Sequence, residues 1–211
     1  MNFKELVLKY TGYEINDYQI NQFEIYYEFL IEYNQKVNLT RITEKEDVYI
    51  KHFLDSILPI KQVDFTKLNK IIDMGSGAGF PGIPLKILYP HLEVLLVDAR
   101  KKKLIFLDQL IEKLNLSKTK TLHERLEKIQ TKDYFDLATA RALSSLEDII
   151  KYAYPLIKKN GYILSYKSVK YEEELNEVSN KYKDKTKVVS IENTYLPEDS
   201  GTRNNILIKK I

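Results

Sequence analysis

The chain has 211 residues, 44% hydrophobic and 30% charged, with a formal net charge of +3. That suits one large globular domain, or a domain with a small appendage, and permits a local basic patch without demanding a nucleic-acid partner. The absence of cysteine excludes a disulfide, a thiolate zinc site, an iron–sulfur cluster and a thiolate nucleophile, and His52, His91 and His123 are too scattered for a metal site.

Residues 3–10 read as a short amphipathic helix ending near Gly12. Asp17 is expected to cap a longer helix to about Lys36, with Ile20, Phe23, Tyr27, Leu30, Ile31 and Val37 at helical spacing. Thr43-Glu44-Lys45-Glu46 reads as a capping box that opens a helix through Val48, Phe53 and Leu54, and Pro59 ends the next short turn. Residues 1–62 are therefore expected to form a helical subdomain ahead of any strand, with 63–211 as the main domain. From there strands and helices alternate: strand Ile71–Met74, helix Pro84–Leu88, strand Glu93–Val97 and helix Arg100–Leu114. Strand Lys118–Leu122, a short helix Glu124–Ile129, strand Phe135–Ala140, helix Ser145–Tyr152 and strand Tyr162–Tyr166 follow. A charged helix Glu172–Tyr182 precedes two closing strands, Lys187–Glu192 and Asn205–Lys210. No apolar run approaches the ~18 residues of a membrane span, and Met1-Asn2-Phe3-Lys4-Glu5 lacks a signal-peptide core. The expectation is a soluble, cytoplasmic protein without a membrane partner.

Alternating βα units require parallel strands with right-handed crossovers, and the last two strands, with no helix between them, should pair antiparallel. The order predicts an α/β fold. It resembles the seven-stranded, Rossmann-like fold of S-adenosylmethionine-dependent methyltransferases, here with a helical N-terminal extension. Such folds bind their ligand at the carboxyl ends of the strands, beside the first one.

Four of the chain's seven glycines fall between Gly75 and Gly82. Asp73-x-Gly75-x-Gly77-x-Gly79 resembles the nucleotide loop of those enzymes. Gly75 and Gly77 allow a tight turn and close backbone approach, and Asp73 is placed to meet the ligand's ammonium, directly or through water. Asp98, 19 residues beyond Gly79, ends the second strand, where a carboxylate can accept both ribose hydroxyls. Phe80 either packs on the ligand or anchors the loop. Leu126 and Glu127 follow the third strand, where this fold flanks the adenine. Gly77 to Gly82 also satisfies the dinucleotide fingerprint G-x-G-x-x-G. That reading ranks lower, because its first glycine comes four residues after Asp73, and Pro81 and Pro84 remove donors a pyrophosphate would want.

The fourth strand ends in Thr139-Ala140-Arg141-Ala142-Leu143, without the acid- or Asn-Pro-Pro-aromatic motif of enzymes that methylate exocyclic amines of bases. With cysteine absent too, a ring nitrogen with a free lone pair, such as guanine N7, becomes the favoured acceptor, since it attacks a sulfonium methyl without prior proton removal. Arg141 is the candidate to orient a base edge, a phosphate or the cofactor carboxylate. Arg100-Lys101-Lys102-Lys103 puts cations at a helix N-terminus, against the macrodipole, and reads either as a solvated face or as a phosphate-binding patch. Lys36, Arg41, Lys51, Lys167 and Arg203 would extend that patch if the helical N-terminus folds over the site.

Beyond the fold, Asp73-Met-Gly-Ser-Gly-Ala-Gly-Phe-Pro-Gly-Ile-Pro84 resembles the loop of the ribosomal RNA small subunit methyltransferase G family, also called glucose-inhibited division protein B. Lys36-Val-Asn-Leu-Thr-Arg41, His52-Phe-Leu-Asp-Ser56, Arg141-Ala-Leu-Ser-Ser-Leu146 and Leu196-Pro-Glu-Asp-Ser-Gly-Thr-Arg203 resemble its further motifs in order, over nearly the whole chain. The resemblance implies methylation of guanine N7 in the decoding-region loop of 16S rRNA, with S-adenosyl-L-methionine as donor. The partner is then 16S rRNA or the small ribosomal subunit, and the chain is expected to act as a monomer. The family's cofactor positions fall on Gly75, Phe80, Leu126, Glu127 and Arg141. Asn38, His52 and Asp55 join Arg141 as candidate catalytic residues, with packing and capping as their competing role. Arg41, Arg100, Lys101, Lys102, Lys167 and Arg203 are the candidate RNA contacts. One departure is Lys167-Ser168, where the family commonly has Lys-Gly. A nicotinamide-dependent oxidoreductase and a non-catalytic RNA-binding module are the alternatives.

Overall fold

A computed structural model describes residues 2–167 and 171–211, so the turn at Ser168 lies outside the described residues. Seven strands form one sheet in the order β3-β2-β1-β4-β5-β7-β6. They are β1 Lys70–Met74, β2 Glu93–Asp98, β3 Thr119–His123, β4 Phe135–Arg141, β5 Ile157–Lys167, β6 Thr186–Tyr195 and β7 Thr202–Lys210. The first five are mutually parallel, and β7 inserts antiparallel to both β5 and β6. The strand order reverses between β1 and β4, and that switch point is where a crevice forms at the carboxyl end of an open α/β sheet.

Helices α1 Phe3–Thr11 and α2 Asp17–Asn34 precede the sheet. Asn16, not Asp17, caps α2, through a capping box with Gln19. A continuous helical stretch follows: α3 Lys45–Val48, a π-helical turn Tyr49–Leu54, α4 Asp55–Ile57 and a 3-10 turn Leu58–Lys61. The expected Thr43 capping box is absent. Glu44 is the N-cap, without a side-chain cap bond, and Glu46 therefore stands one position too early to close a box. The Thr43 carbonyl instead accepts from the Tyr27 hydroxyl (3.3 Å). Pro59 lies inside the 3-10 turn rather than ending it.

The remaining helices are α5 Gly82–Leu88, α6 Lys101–Lys113, α7 Leu146–Ala153, α8 Tyr171–Glu177 and α9 Asn180–Lys183. Glu124–Ile129 shrinks to one 3-10 turn, Leu126–Lys128. The expected helix 172–182 is two, because Ser179 adopts an extended cap conformation and its N–H donates to Glu147 Oε2.

Strand residues alternate between two cores, as the pleat requires. Ile71, Leu96, Leu137, Leu164 and Leu207 face one layer, shared with α1, α2, α5 and α6. Ile72, Val97, Ala138, Ile163, Ile206 and Ile208 face the other, with α7 to α9. The buried side chains of residues 2–62 pack into the first of these cores rather than around one of their own.

Candidate active site

β1 leads into the glycine loop, and the loop is tied down from three directions. The N–H groups of Gly75 and Ser76 both donate to the Val97 carbonyl, at 2.8 and 2.9 Å. Gly77 N–H donates to Asp98 Oδ2 (2.9 Å). From the helical side, the buried Tyr26 hydroxyl donates to the Ala78 carbonyl. Gly75 has a left-handed φ of +72°, and a Cβ there would come within 2.6 Å of Leu143 Cδ1. Only glycine leaves this face of the loop open.

Asp73 does not reach the crevice. It is fully buried, Oδ1 accepts from Thr139 Oγ1 (2.8 Å), and Oδ2 accepts from Gly82 N–H (3.2 Å). The pleat turns it toward α5, where it holds the far end of the loop. Burial lifts its pKa from 3.8 to about 6, against the pull of those donors and of Arg141. Gly79 also faces inward. Its φ is +99°, and a Cβ would meet Ile83 and the Tyr26 hydroxyl, each at 2.8 Å. A Cβ at Gly82 would lie 2.4 Å from Leu96. Glycines 79 and 82 therefore serve packing, and the dinucleotide fingerprint loses two of its three glycines. Phe80 is an anchor as well as a wall. It stacks on Tyr26 (5.4 Å between centroids) and on His52 (4.5 Å), with the Arg141 guanidinium 4.8 Å from its ring.

Two clefts meet along the end of β4. The first, about 450 Å³, runs past Gly75, Asp98, Arg100, Leu126 and Glu127. The second, about 660 Å³, is bounded by His52, Asp55, Arg141, Lys167, Glu174 and Arg203. Ala142, Leu143 and Ser144 line both. Asp98 stands at the wall of the first, where Oδ1 also accepts from Arg100 N–H (2.8 Å) and Lys103 Nζ lies 3.9 Å from Oδ2.

The second cleft is organised around Asp55, which is buried between two guanidinium groups. Arg141 Nη1 donates to Oδ2 (3.0 Å), and Arg203 Nε lies 3.3 Å from Oδ1. Burial nevertheless pushes the carboxyl above its ordinary range. Arg141 Nη2 also donates to His52 Nδ1 (3.3 Å), and His52 Nε2 contacts Thr40 Oγ1 (2.8 Å). Burial, then Arg141, lowers the His52 pKa to about 3. The loop carrying Thr40 is pinned by Asn34, whose Oδ1 accepts from the N–H groups of Leu39 (2.8 Å) and Thr40 (3.0 Å).

The structure thus joins His52, Asp55, Arg141 and Arg203. Asn38 and Arg41 are exposed on the adjoining loop, and Lys101 and Lys102 on α6. Lys167 and Arg203 are not free cations. Lys167 Nζ binds Glu174 Oε2 and the Ser144 carbonyl, both at 2.6 Å, and Arg203 faces Asp55. Sequence reading missed Asn34, Thr40, Leu143 and Glu174 as site builders, and it gave Lys103 no role apart from its neighbours. Their contacts join segments distant in sequence. The π-helical turn that carries His52 left no local trace, although such turns recur at functional sites.

Residues 19–200 match the family model described as rRNA small subunit methyltransferase G. The chain belongs to the rRNA small subunit methyltransferase G family. It is 43% identical over 220 residues to Ribosomal RNA small subunit methyltransferase G of Bacillus subtilis (strain 168), covering 100% of this chain and 91% of that relative. Its identity to the Macrococcus caseolyticus protein of the same name is 48% over 173 residues, covering 81% of this chain and 73% of that one. Among solved structures, M. jannaschii TYW2 in complex with AdoMet aligns with a TM-score of 0.57 at 16% identity, over 74% of this chain and 77% of that one. A SAM-dependent O-methyltransferase from Thermotoga maritima aligns with 0.57 at 16% identity, over 86% and 71%. These two share the fold, which is that of the S-adenosylmethionine-dependent methyltransferases. Among the described residues no helix is long and apolar enough to cross a membrane, and no three acidic or histidine side chains gather as a metal site.

Proposed function

We propose that this chain transfers a methyl group from S-adenosyl-L-methionine to N7 of a guanine in the decoding-region loop of 16S rRNA, acting as a cytoplasmic monomer on the small ribosomal subunit or its RNA. The observation that carries the reading is the junction of the two clefts at Ala142, Leu143 and Ser144, directly after Arg141. A donor in one cleft and a base in the other meet there. The crevice fits the donor, because the bare Gly75 backbone and the Asp98 carboxylate line one continuous wall.

S-adenosylmethionine supplies a methyl group on a sulfonium, which a neutral nitrogen lone pair accepts. The chain's residues bind and orient. Gly75 and Gly77 present backbone to the donor, and Asp98 offers its remaining lone pairs to the ribose hydroxyls. Leu126 and Glu127 border the adenine. Asp73, Gly79 and Phe80 hold the loop in place. Arg141 is fixed by Asp55 and His52 at the rim between the clefts, and Lys167 and Arg203 shape the wall of the base cleft through their ion pairs. No group there has to remove a proton from guanine N7, so alignment supplies the catalysis. Asn38, Arg41, Arg100, Lys101 and Lys102 are exposed around the mouth and contact the RNA, the four cations at its phosphates.

Labelled S-adenosylmethionine, offered with the small-subunit RNA as naked RNA, assembly intermediate and finished subunit, should mark one guanine at N7 in at least one form. Label on a pyrimidine or on a protein in every form would overturn the reading.

A further inference from the structure

A smaller recess, about 190 Å³, continues from the first cleft across Gly75, Lys103 and Ala142. The glycine loop forms one side, and Thr40, His52 and Arg141 form the other. Its lining carries two cations, Lys103 and Arg141, and no carboxylate among the described residues. The charge favours an anionic head group at the end of whatever occupies the cleft.

The hydrogen bonds around Thr40 have a fixed direction. A guanidinium has donors only, so His52 Nδ1, at 3.3 Å from Arg141 Nη2, must accept. The imidazole is therefore neutral with its proton on Nε2, and that N–H donates to Thr40 Oγ1 at 2.8 Å. The same oxygen accepts from the Ile42 N–H at 3.0 Å. Both lone pairs of the hydroxyl are then engaged, and it acts toward any further partner only as a donor. An ammonium would find the two cations and no carboxylate lining the recess among the described residues. A carboxylate would find the hydroxyl proton and the side chains of Lys103 and Arg141, whose own partners Asp98 and Asp55 do not line the recess.

We propose that Thr40 is a cofactor-binding residue, donating its hydroxyl proton to the α-carboxylate of S-adenosylmethionine, with His52 as the positioning residue that fixes the donor direction. This rests on the methyl-donor reading above. It adds a contact from the N-terminal loop to the amino-acid end of the donor, so the helical extension takes part in cofactor binding as well as in RNA binding.

Calorimetry on the full chain, without RNA, tests it with S-adenosylhomocysteine and with its decarboxylated counterpart, which keeps the amine and the carbon chain. Thr40→Val should bind S-adenosylhomocysteine roughly 10- to 100-fold more weakly, the worth of one hydrogen bond to a charged group. Thr40→Ser should stay close to wild type, and Thr40→Val should bind the decarboxylated compound as wild type does. Equal weakening for both compounds would show that the substitution merely displaces the loop, and unchanged S-adenosylhomocysteine binding would show no contact. Either result overturns the proposal and leaves the methyl-donor reading standing. If wild type failed to bind S-adenosylhomocysteine, the donor reading itself would fall, and this assignment with it.

Discussion

His52 and Asp73 both lie close to the Arg141 guanidinium, and burial has moved their titrations past one another. The folded His52 ring refuses a proton until about pH 3, whereas an exposed one accepts near 6.5. Between those values the unfolded chain binds one proton more, so this group lowers stability by about 1.4 kcal/mol for each pH unit of acidification. Arg141, Arg203 and Asp47 face the ring, and the two arginines reinforce the effect. Asp73 works the other way. Its folded carboxyl takes a proton at about 6 against 3.8 when exposed, so between those values acidification favours the folded state with a similar slope. The two contributions oppose each other in their shared window. Urea unfolding at pH 7, 6, 5 and 4 should show His52→Gln gaining on wild type as the pH falls, and Asp73→Asn losing ground. Parallel profiles for the three proteins would refute both assignments. The same two residues mark the limit of reading a site from sequence. Asp98, Gly75 and Arg141 were legible because strand-end spacing alone brings them to the crevice. The inward turn of Asp73 depends on which face of β1 it occupies, and the Thr40–His52 contact on a π-helical turn with no composition signal.

At the scale of elements, α6 begins against its own dipole. Lys101, Lys102 and Lys103 fill its first turn, no acid stands there, and Arg100 gives no side-chain cap. Each such cation costs a helix about 0.3–1 kcal/mol. Lys103 is half-buried at the rim of the recess, which leaves Lys101 and Lys102 as the pair to test. Exchanging both for glutamine should stabilise the protein by about 0.6–2 kcal/mol in thermal or urea unfolding, while weakening RNA binding. The log–log salt dependence of RNA affinity should become shallower by roughly 0.7 per lost phosphate contact for single strands. An unchanged salt slope would assign the run to solvent. The parallel βα order was legible because apolar runs alternate with amphipathic ones, and the antiparallel closing pair because no helix separates its strands. Boundaries were less so. β5 begins at Ile157, five residues before the apolar run that announces it, because Ile157 pairs with Phe135 across a register shift. That pairing joins distant residues and leaves no periodicity of its own.

For the whole molecule, buried side chains of the N-terminal helices share a core with the sheet and its helices. Val7, Phe23, Tyr26, Leu30, Phe53 and Leu54 are fully buried in the same core as Ile83, Leu85, Phe106 and Leu107. Phe29 stacks on Phe106 with centroids 5.3 Å apart. The polar face of α2 is committed as well. Gln19 Nε2 donates to the Ile87 carbonyl (3.1 Å) and Gln22 Nε2 to the Leu114 carbonyl (3.1 Å), so one helix caps the C-terminal ends of α5 and α6. Six large side chains at about 1.5–3 kcal/mol each rival the ~5–15 kcal/mol by which a domain is stable at all. Residues 63–211 expressed alone should therefore retain helical circular dichroism but show no protected amides in β1 and no binding of S-adenosylhomocysteine. In the full chain, amides of α2 and of β1 should exchange at a common free energy, because both open only when the shared core does. If α2 opened at a distinctly lower free energy while β1 stayed protected, the N-terminal helices would be an appendage on an independent fold. The loop bearing Thr40 would then be held by something other than the core beneath it.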